Sequence, residues 1–281
     1  MSIRPKCLHI GGIIYPTVFR QLRPQIGFPW TTRVMAFLAL ATLLIPLSVM
    51  KPKPHADAEG RPRVLFDKKA FKNVPYALFT VSAFFAFMGL YIPHYYIQIY
   101  AGKIGMDPQL SSYLLIIMNA VSTFGRIVPT FFADKFGPIN ITLPFTCVCS
   151  LLAFSWMAVN NTTGLIVFCI FYGFFAGTYV SILGPTIMSL SKESNLKGTR
   201  LGMTFAAGAL GMLVGTPVAG QFLGSVGWIG VQAWCGSTSM IAAAFILAAR
   251  LAPRPTAVDG SEGEVAGDAE KSEEESADGA A

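Results

Sequence analysis

The chain is poor in charge: only 13% of its 281 residues are Asp, Glu, Lys or Arg, while 53% are apolar. A water-soluble domain carries about a quarter charged residues, so a soluble globular fold is excluded. No Lys/Arg-rich block with interleaved aromatics occurs, which argues against nucleic acid as a partner. Cysteine is scarce and odd in number: Cys7, Cys147, Cys149, Cys169 and Cys235. No pair has zinc-ligand spacing with His or Cys, and the cysteines read as small buried hydrophobes. A nucleophile elbow, a phosphate loop and a metal cluster are all lacking. The chain therefore does not read as an enzyme, and no cofactor is implied.

What is present is length of apolar sequence. Runs long enough to cross a ~30 Å hydrocarbon core cover Thr31–Met50, Pro75–Tyr100, Leu110–Ala133, Ile139–Val159, Gly164–Leu190, Arg200–Leu223 and Trp228–Leu251. The fold expected is an all-α polytopic membrane protein. Residues 1–30 fall short of a span. Gly11 to Phe19 is brief, Pro16 and Arg20 interrupt its helical pattern, and no A-x-A-like site marks a signal peptide.

Charge sets the topology. Residues 1–252 hold 19 Lys/Arg against 6 Asp/Glu, and residues 253–281 hold 2 against 9. The loop from Lys51 to Asn73 carries Lys51, Lys53, Arg61, Arg63, Lys68, Lys69 and Lys72, which predicts a cytoplasmic linker over 51–74. Counting onward, the inner side holds Asp134–Lys135, then Lys192, Lys197 and Arg200, then Arg250 and Arg254. The outer side holds Lys103 and Asp107, then two nearly uncharged turns. Arg20, Arg23 and Arg33 fall outside against the trend. The tail 253–281 is expected to be disordered and cytoplasmic, having no aromatics and too little apolar content for a core. The sequons within Asn160–Thr163 sit in a loop too short to favour a glycan.

Within the spans one stretch stands out, QLSSYLLIIMNAVSTFGRIVPTFFADKFG from Gln109 to Gly137. Arg126 is the one charged residue well inside any of the long runs, roughly 24 Å along a helix starting at Leu110. A charge at that depth costs at least ~2.5–3.5 kcal/mol and faces a bundle interior or a watery path. Ser112, Asn119 and Ser122 share its face. Chemistry alone leaves Arg126 open between a structural cation bonded to helix carbonyls and a site for an anion, since guanidinium pairs bidentately with carboxylate. Small residues recur every four positions, as Gly173, Gly177 and Ser181 and as Ala207, Gly211, Gly215 and Ala219. Close helix packing accounts for them. Pro46, Pro93, Pro129, Pro185 and Pro217 mark possible breaks. His94 reads by default as part of an interfacial aromatic belt, with a proton-linked role as the alternative.

The run from Gly125-Arg126 to Ala133-Asp134-Lys135-Phe136-Gly137-Pro138 resembles the loop between the eighth and ninth helices of the major facilitator superfamily. With Gly89-Leu90-Tyr91-Ile92-Pro93 and Tyr95-Tyr96 before it, the sequence is similar to the fungal branch of the monocarboxylate-transporter family. Gly11–Pro16 and Pro24–Phe28 resemble the end of that family's fifth helix and the following outer loop. The resemblance runs from about Gly11 to Leu251.

It implies half of a twelve-helix fold: a remnant of the N-terminal half over 1–50, with a full sixth helix at 31–50, then a C-terminal six-helix bundle over 75–252. An N-terminally truncated member is expected. The implied function is secondary transport of a small organic anion of the monocarboxylate class by alternating access. Arg126 would bind the substrate, Asn119 and Ser122 would line its path, and Asp134, Lys135 and Gly137 would gate. Proton-coupled members carry Asp where this chain has Ser122, so proton symport through that pair is not implied. The expected partners are an organic anion, the bilayer, and a second transporter half or second copy. The expected location is the plasma membrane. Two other readings stand: a non-transporting half acting as an interaction partner, and a seven-helix receptor.

Overall fold

The computed structural model describes residues 11–49, 66–191 and 196–253. Most of the basic linker, Cys7 and the acidic tail beyond Pro253 lie outside the described residues. Eight α-helices follow in order: α1 Gly11–Val49, α2 Val74–Leu90, α3 Ile92–Lys103, α4 Pro108–Phe136, α5 Pro138–Ser155, α6 Thr162–Leu190, α7 Lys197–Ser225 and α8 Trp228–Leu251. Short 3-10 turns lie at Lys68–Lys72 and Trp156–Ala158. Among the described residues there is no strand. Among the described residues seven helical stretches are long and apolar enough to cross a membrane, as many as the apolar runs require, and the expected all-helical polytopic class holds.

The helix starts are written in the sequence. Asn73 precedes Pro75 and its side chain accepts from Tyr76 N. Asp107 precedes Pro108, and its carboxylate accepts from Gln109 N and Leu110 N, each at 3.1 Å. Asn161 accepts from Gly164 N at 2.6 Å. Such caps satisfy orphan N–H groups that lipid cannot.

Two boundaries differ from expectation. The outer loop expected over Pro24–Phe28 is helical on both sides, with non-helical backbone at Gly27 (φ 74°, ψ 169°). Gly27 takes a positive φ that other residues resist, and Pro29 falls in the first turn of the following helix, where its missing N–H costs nothing. Nor do Pro16 and Arg20 interrupt the helix before it. The span expected over Pro75–Tyr100 remains one membrane-length stretch, Val74–Lys103, but is interrupted at Tyr91, where α2 gives way to α3. Pro93 cannot donate to Gly89 O, and its ring disfavours helical packing against the preceding turn.

α4 packs along α6, α2 lies against α7 and α8, and α5 sits between α6 and α8. Lipid offers no hydrophobic drive for helices to associate, so close approach and interhelical hydrogen bonds hold the bundle together. A Cβ at Gly173 or Gly177 would collide with the α4 backbone at Met118 and Ser122, and one at Gly211 or Gly215 with the α2 backbone at Phe84 and Met88. The small-residue stripes therefore act in packing. Hydroxyls tie the same seams: Thr178 Oγ1 donates to Gly125 O at 2.7 Å, Ser181 Oγ to Arg126 O at 3.2 Å, and Ser150 Oγ to Gly236 O at 3.0 Å. By contrast α1 is largely exposed along its length. It leans on α4 through Arg20, which donates to Gln109 O at 3.4 Å and stacks 4.5 Å from the Tyr113 ring centroid.

Candidate functional site

α4 carries Arg126 where its helix is locked to α6. Gly125 lies against the Phe174 backbone so closely that a Cβ would overlap it, and the carbonyls of Gly125 and Arg126 accept from Thr178 and Ser181. The backbone at Arg126 is thereby fixed on a rigid seam. Helical side chains lean toward the helix N-terminus, which carries the guanidinium back toward the level of Asn119 and Ser122. Arg126 is partly buried, and its Nε is buried with no hydrogen-bond partner among the described residues. The expectation of a cation bonded to helix carbonyls finds no such bond at Nε.

Asn119 and Ser122 differ in what they offer. The Asn119 amide donates from Nδ2 to Leu115 O at 3.0 Å, which leaves its amide oxygen as an acceptor. Ser122 is 4% exposed, donates to Asn119 O at 2.9 Å and packs where Gly177 of α6 closes on α4. It faces the helix seam more than an open path, because its position lies some 40° around the helix from Arg126 at ~100° per residue.

The α2–α3 break carries two further polar side chains, Tyr91 and His94. The Tyr91 ring lies 5.5 Å from that of His94 and stacks on Phe87 at 5.9 Å, and His94 lies 6.5 Å from Tyr172. His94 Nδ1 is buried without a hydrogen-bond partner. The Leu90 carbonyl, one turn before His94, accepts from the Tyr172 hydroxyl at 2.9 Å. His94 itself is of intermediate exposure. The sequence offered His94 a proton-linked role only as an alternative and gave Tyr91 none; the one local signal was Pro93, which marks the α2–α3 break.

At the far end of α4, Gly137 caps the helix with φ 87° and ψ 137°, and its N–H donates to Ala133 O at 3.0 Å. Lys135 is exposed beside it, while the side chain of Asp134 lies outside the described residues. Among the described residues no group of three or more His, Cys, Asp or Glu comes together to hold a metal.

The profile of the Major Facilitator Superfamily matches residues 1–199. The chain belongs to that superfamily. It is 38% identical over 237 residues to the MFS-type transporter dbaD of Emericella nidulans, covering 83% of this chain and 53% of the relative. It is 37% identical over 249 residues to MFS-type transporter 1 of an Ophiocordyceps species, covering 86% of this chain and 54% of the relative. The Agnestins efflux protein AgnL12 of Paecilomyces divaricatus is 31% identical over 243 residues, with 86% and 55% covered. The chain spans about half the length of these curated relatives. As a facilitator-superfamily chain with seven apolar helices of spanning length, it is an integral multi-pass membrane protein.

Proposed function

We propose that this chain supplies the substrate-binding wall of a secondary transporter for organic anions, of the monocarboxylate-transporter-like type, working by alternating access. The observation that carries the reading is Arg126: a guanidinium inside a membrane-spanning helix, with a buried Nε that no described residue satisfies. Guanidinium matches carboxylate geometrically, and pairing with one offsets the cost of its burial. Asn119 lines the approach with its amide oxygen, and Ser122 supplies the close seam that holds the site rigid. Asp134, Lys135 and Gly137 form the turn that gates the inner side. The efflux name of one relative favours export as the working direction. The chain then resides in the plasma membrane with its C-terminus in the cytoplasm. Exposed Phe124, Val128 and Phe131 on α4 favour an opposing six-helix unit across the site, supplied by another transporter half or a second copy of this chain.

The test is flux of a radiolabelled organic anion into vesicles holding the full chain, with Arg126→Ala at equal membrane abundance. Loss of flux is the expected outcome, and unchanged flux would remove Arg126 from the site.

A further inference from the structure

We propose that the short turn ahead of α2 is a docking surface for anionic phospholipid. Lys68, Lys69 and Lys72 meet the headgroup phosphates, and Phe66 and Phe71 enter the boundary between headgroups and acyl chains.

The turn has two faces. In a 3-10 helix every third residue falls on one side, and Asp67, Ala70 and Asn73 follow that spacing along Lys68–Lys72 and its two caps. Asp67 and Ala70 are buried, and Asn73 is half-buried. Asp67 pairs with Arg200 in the first turn of α7, and the Asn73 amide donates to Leu190 O, at the end of α6, at 3.4 Å. Within the turn Asp67 accepts from Lys69 N at 3.0 Å, and the Asn73 N–H donates to Ala70 O at 3.0 Å. The inward face is pinned to the bundle. The outward face is Phe66, Lys68, Lys69, Phe71 and Lys72, all exposed, with Phe66 at 57% and Phe71 at 45%. The two phenylalanine rings lie 6.1 Å apart. The carboxylate of Asp67 is engaged by Arg200, and among the described residues none of the three lysines has an ion-pair partner. Three unbalanced ammonium groups therefore stand beside two aromatic rings.

Position decides what covers that face. The membrane-length stretch Val74–Lys103 begins directly after the turn, and the turn is bonded to the last residue of α6 and the first turn of α7, both in helices of spanning length. Three spans thus end at this level, which sets the turn at the edge of the hydrocarbon core. A solvated loop gives exposed rings no apolar partner. At the membrane boundary the rings settle among headgroups and upper acyl chains, while the long lysine stems carry their charges to the phosphates. A basic cluster just outside a span attracts anionic lipid by up to about five-fold in affinity per residue. By the charge of the 51–74 linker this is the cytoplasmic leaflet, the one that holds anionic lipid.

The experiment is native mass spectrometry of the purified full chain in neutral detergent, with phosphatidylserine and phosphatidylcholine of the same acyl chains added at equal concentration. The unaltered chain is expected to retain phosphatidylserine over phosphatidylcholine by about ten-fold or more. The triple change Lys68→Gln, Lys69→Gln, Lys72→Gln should reduce that ratio to about two-fold or less. Lys51→Gln, Lys53→Gln, Arg61→Gln removes the same charge elsewhere in the linker and should keep most of it. Phe66→Ser with Phe71→Ser should lower phosphatidylserine binding by about two-fold or more with the lysines intact. Elution profile and thermal melting verify folding of each variant. Lys72→Gln alone, expected to lower the ratio at least two-fold, decides the matter if the triple variant does not fold. An unaltered chain without preference overturns the proposal, as do equal losses in the two triple variants or serine variants that bind like the unaltered chain. The acidic tail, with 9 Asp/Glu against 2 Lys/Arg over residues 253–281, is the rival occupant. A preference that appears only after Glu273→Gln, Glu274→Gln, Glu275→Gln would assign the basic face to that tail and overturn the lipid.

Discussion

Asp67 and Arg200 form a buried ion pair, Arg200 Nε lying 3.1 Å from Asp67 Oδ2, with side chains only 5% and 7% exposed. The pair fastens the chain ahead of α2 to the first turn of α7. Around it the Tyr76 hydroxyl donates to Arg200 O at 2.9 Å, and the guanidinium lies 6.0 Å from the Tyr76 ring centroid.

Breaking that pair should be costly while replacing it whole should not. Asp67→Ala leaves a guanidinium in a buried site without its carboxylate, a loss of about 3 kcal/mol, the low end for such pairs because the Tyr76 ring remains. The double change Asp67→Leu with Arg200→Met removes both charges and should recover most of the loss. Thermal melting of the purified variants measures this, and strict additivity of the single changes would show that the two residues do not couple.

Gly177 and Gly184 both lie on α6 yet should respond oppositely to a methyl group. A Cβ at Gly177 would meet the Ser122 backbone, whereas nothing lies within 4 Å of one at Gly184. Gly177→Ala should push α4 from α6 and cost about 1–3 kcal/mol. Gly184→Ala should be neutral or stabilise by about 0.5–1 kcal/mol through helix propensity. Melting temperatures that moved together would contradict the close-approach account.

Gly137 should tolerate no side chain cheaply. Its φ of 87° at the α4–α5 turn is a conformation other residues occupy only at a cost of about 1–3 kcal/mol. The space itself is adequate, the nearest atom to a built Cβ being Asn140 Nδ2 at 3.5 Å. Gly137→Ala should therefore lower stability through backbone strain and shift the α4–α5 turn, seen as faster proteolysis at Lys135. Wild-type melting and proteolysis in this variant would count against it.

What the sequence could reveal followed from local rules. Apolar run length marked the spans, Asn73, Asp107 and Asn161 marked helix starts, and Arg126 stood out because a charge inside an apolar run has few explanations. Four-residue spacing of small side chains read correctly as packing because Gly173 and Gly177 need only the helical period to fall on one face. The site itself depended on geometry that periodicity does not encode. Tyr91 and His94 take their places through the chain break before Pro93 and the packing of α3 on α4. Ser122, one turn from Arg126, rotates into the α6 seam. The segment Pro24–Phe28 resembles an outer loop of the family, yet helix flanks it on both sides and the backbone turns at Gly27 alone.

Flux of the anion should not acidify the receiving compartment. The position one turn before Arg126 holds Ser122, whose hydroxyl donates within its own helix and does not titrate in the physiological range. Among the described residues Arg126 forms no ion pair with a carboxylate. A pH-sensitive dye trapped in the vesicles should stay flat while labelled anion enters. Acidification in step with substrate would establish proton coupling.

Tyr172 should stabilise the α2–α3 break through one hydroxyl. Pro93 removes the donor that would have served Gly89 O, and the break at Tyr91 leaves Leu90 O for a side chain to satisfy. The Tyr172 hydroxyl does so at 2.9 Å from α6, and Cys235 Sγ approaches Gly89 O at 3.4 Å from α8. Tyr172→Phe keeps the ring, which stacks on Phe168 at 5.2 Å, but strands a buried carbonyl at a cost of about 1–3 kcal/mol. Thermal melting of the purified variant measures this, and wild-type melting in Tyr172→Phe would mean that the break holds its shape without this bond.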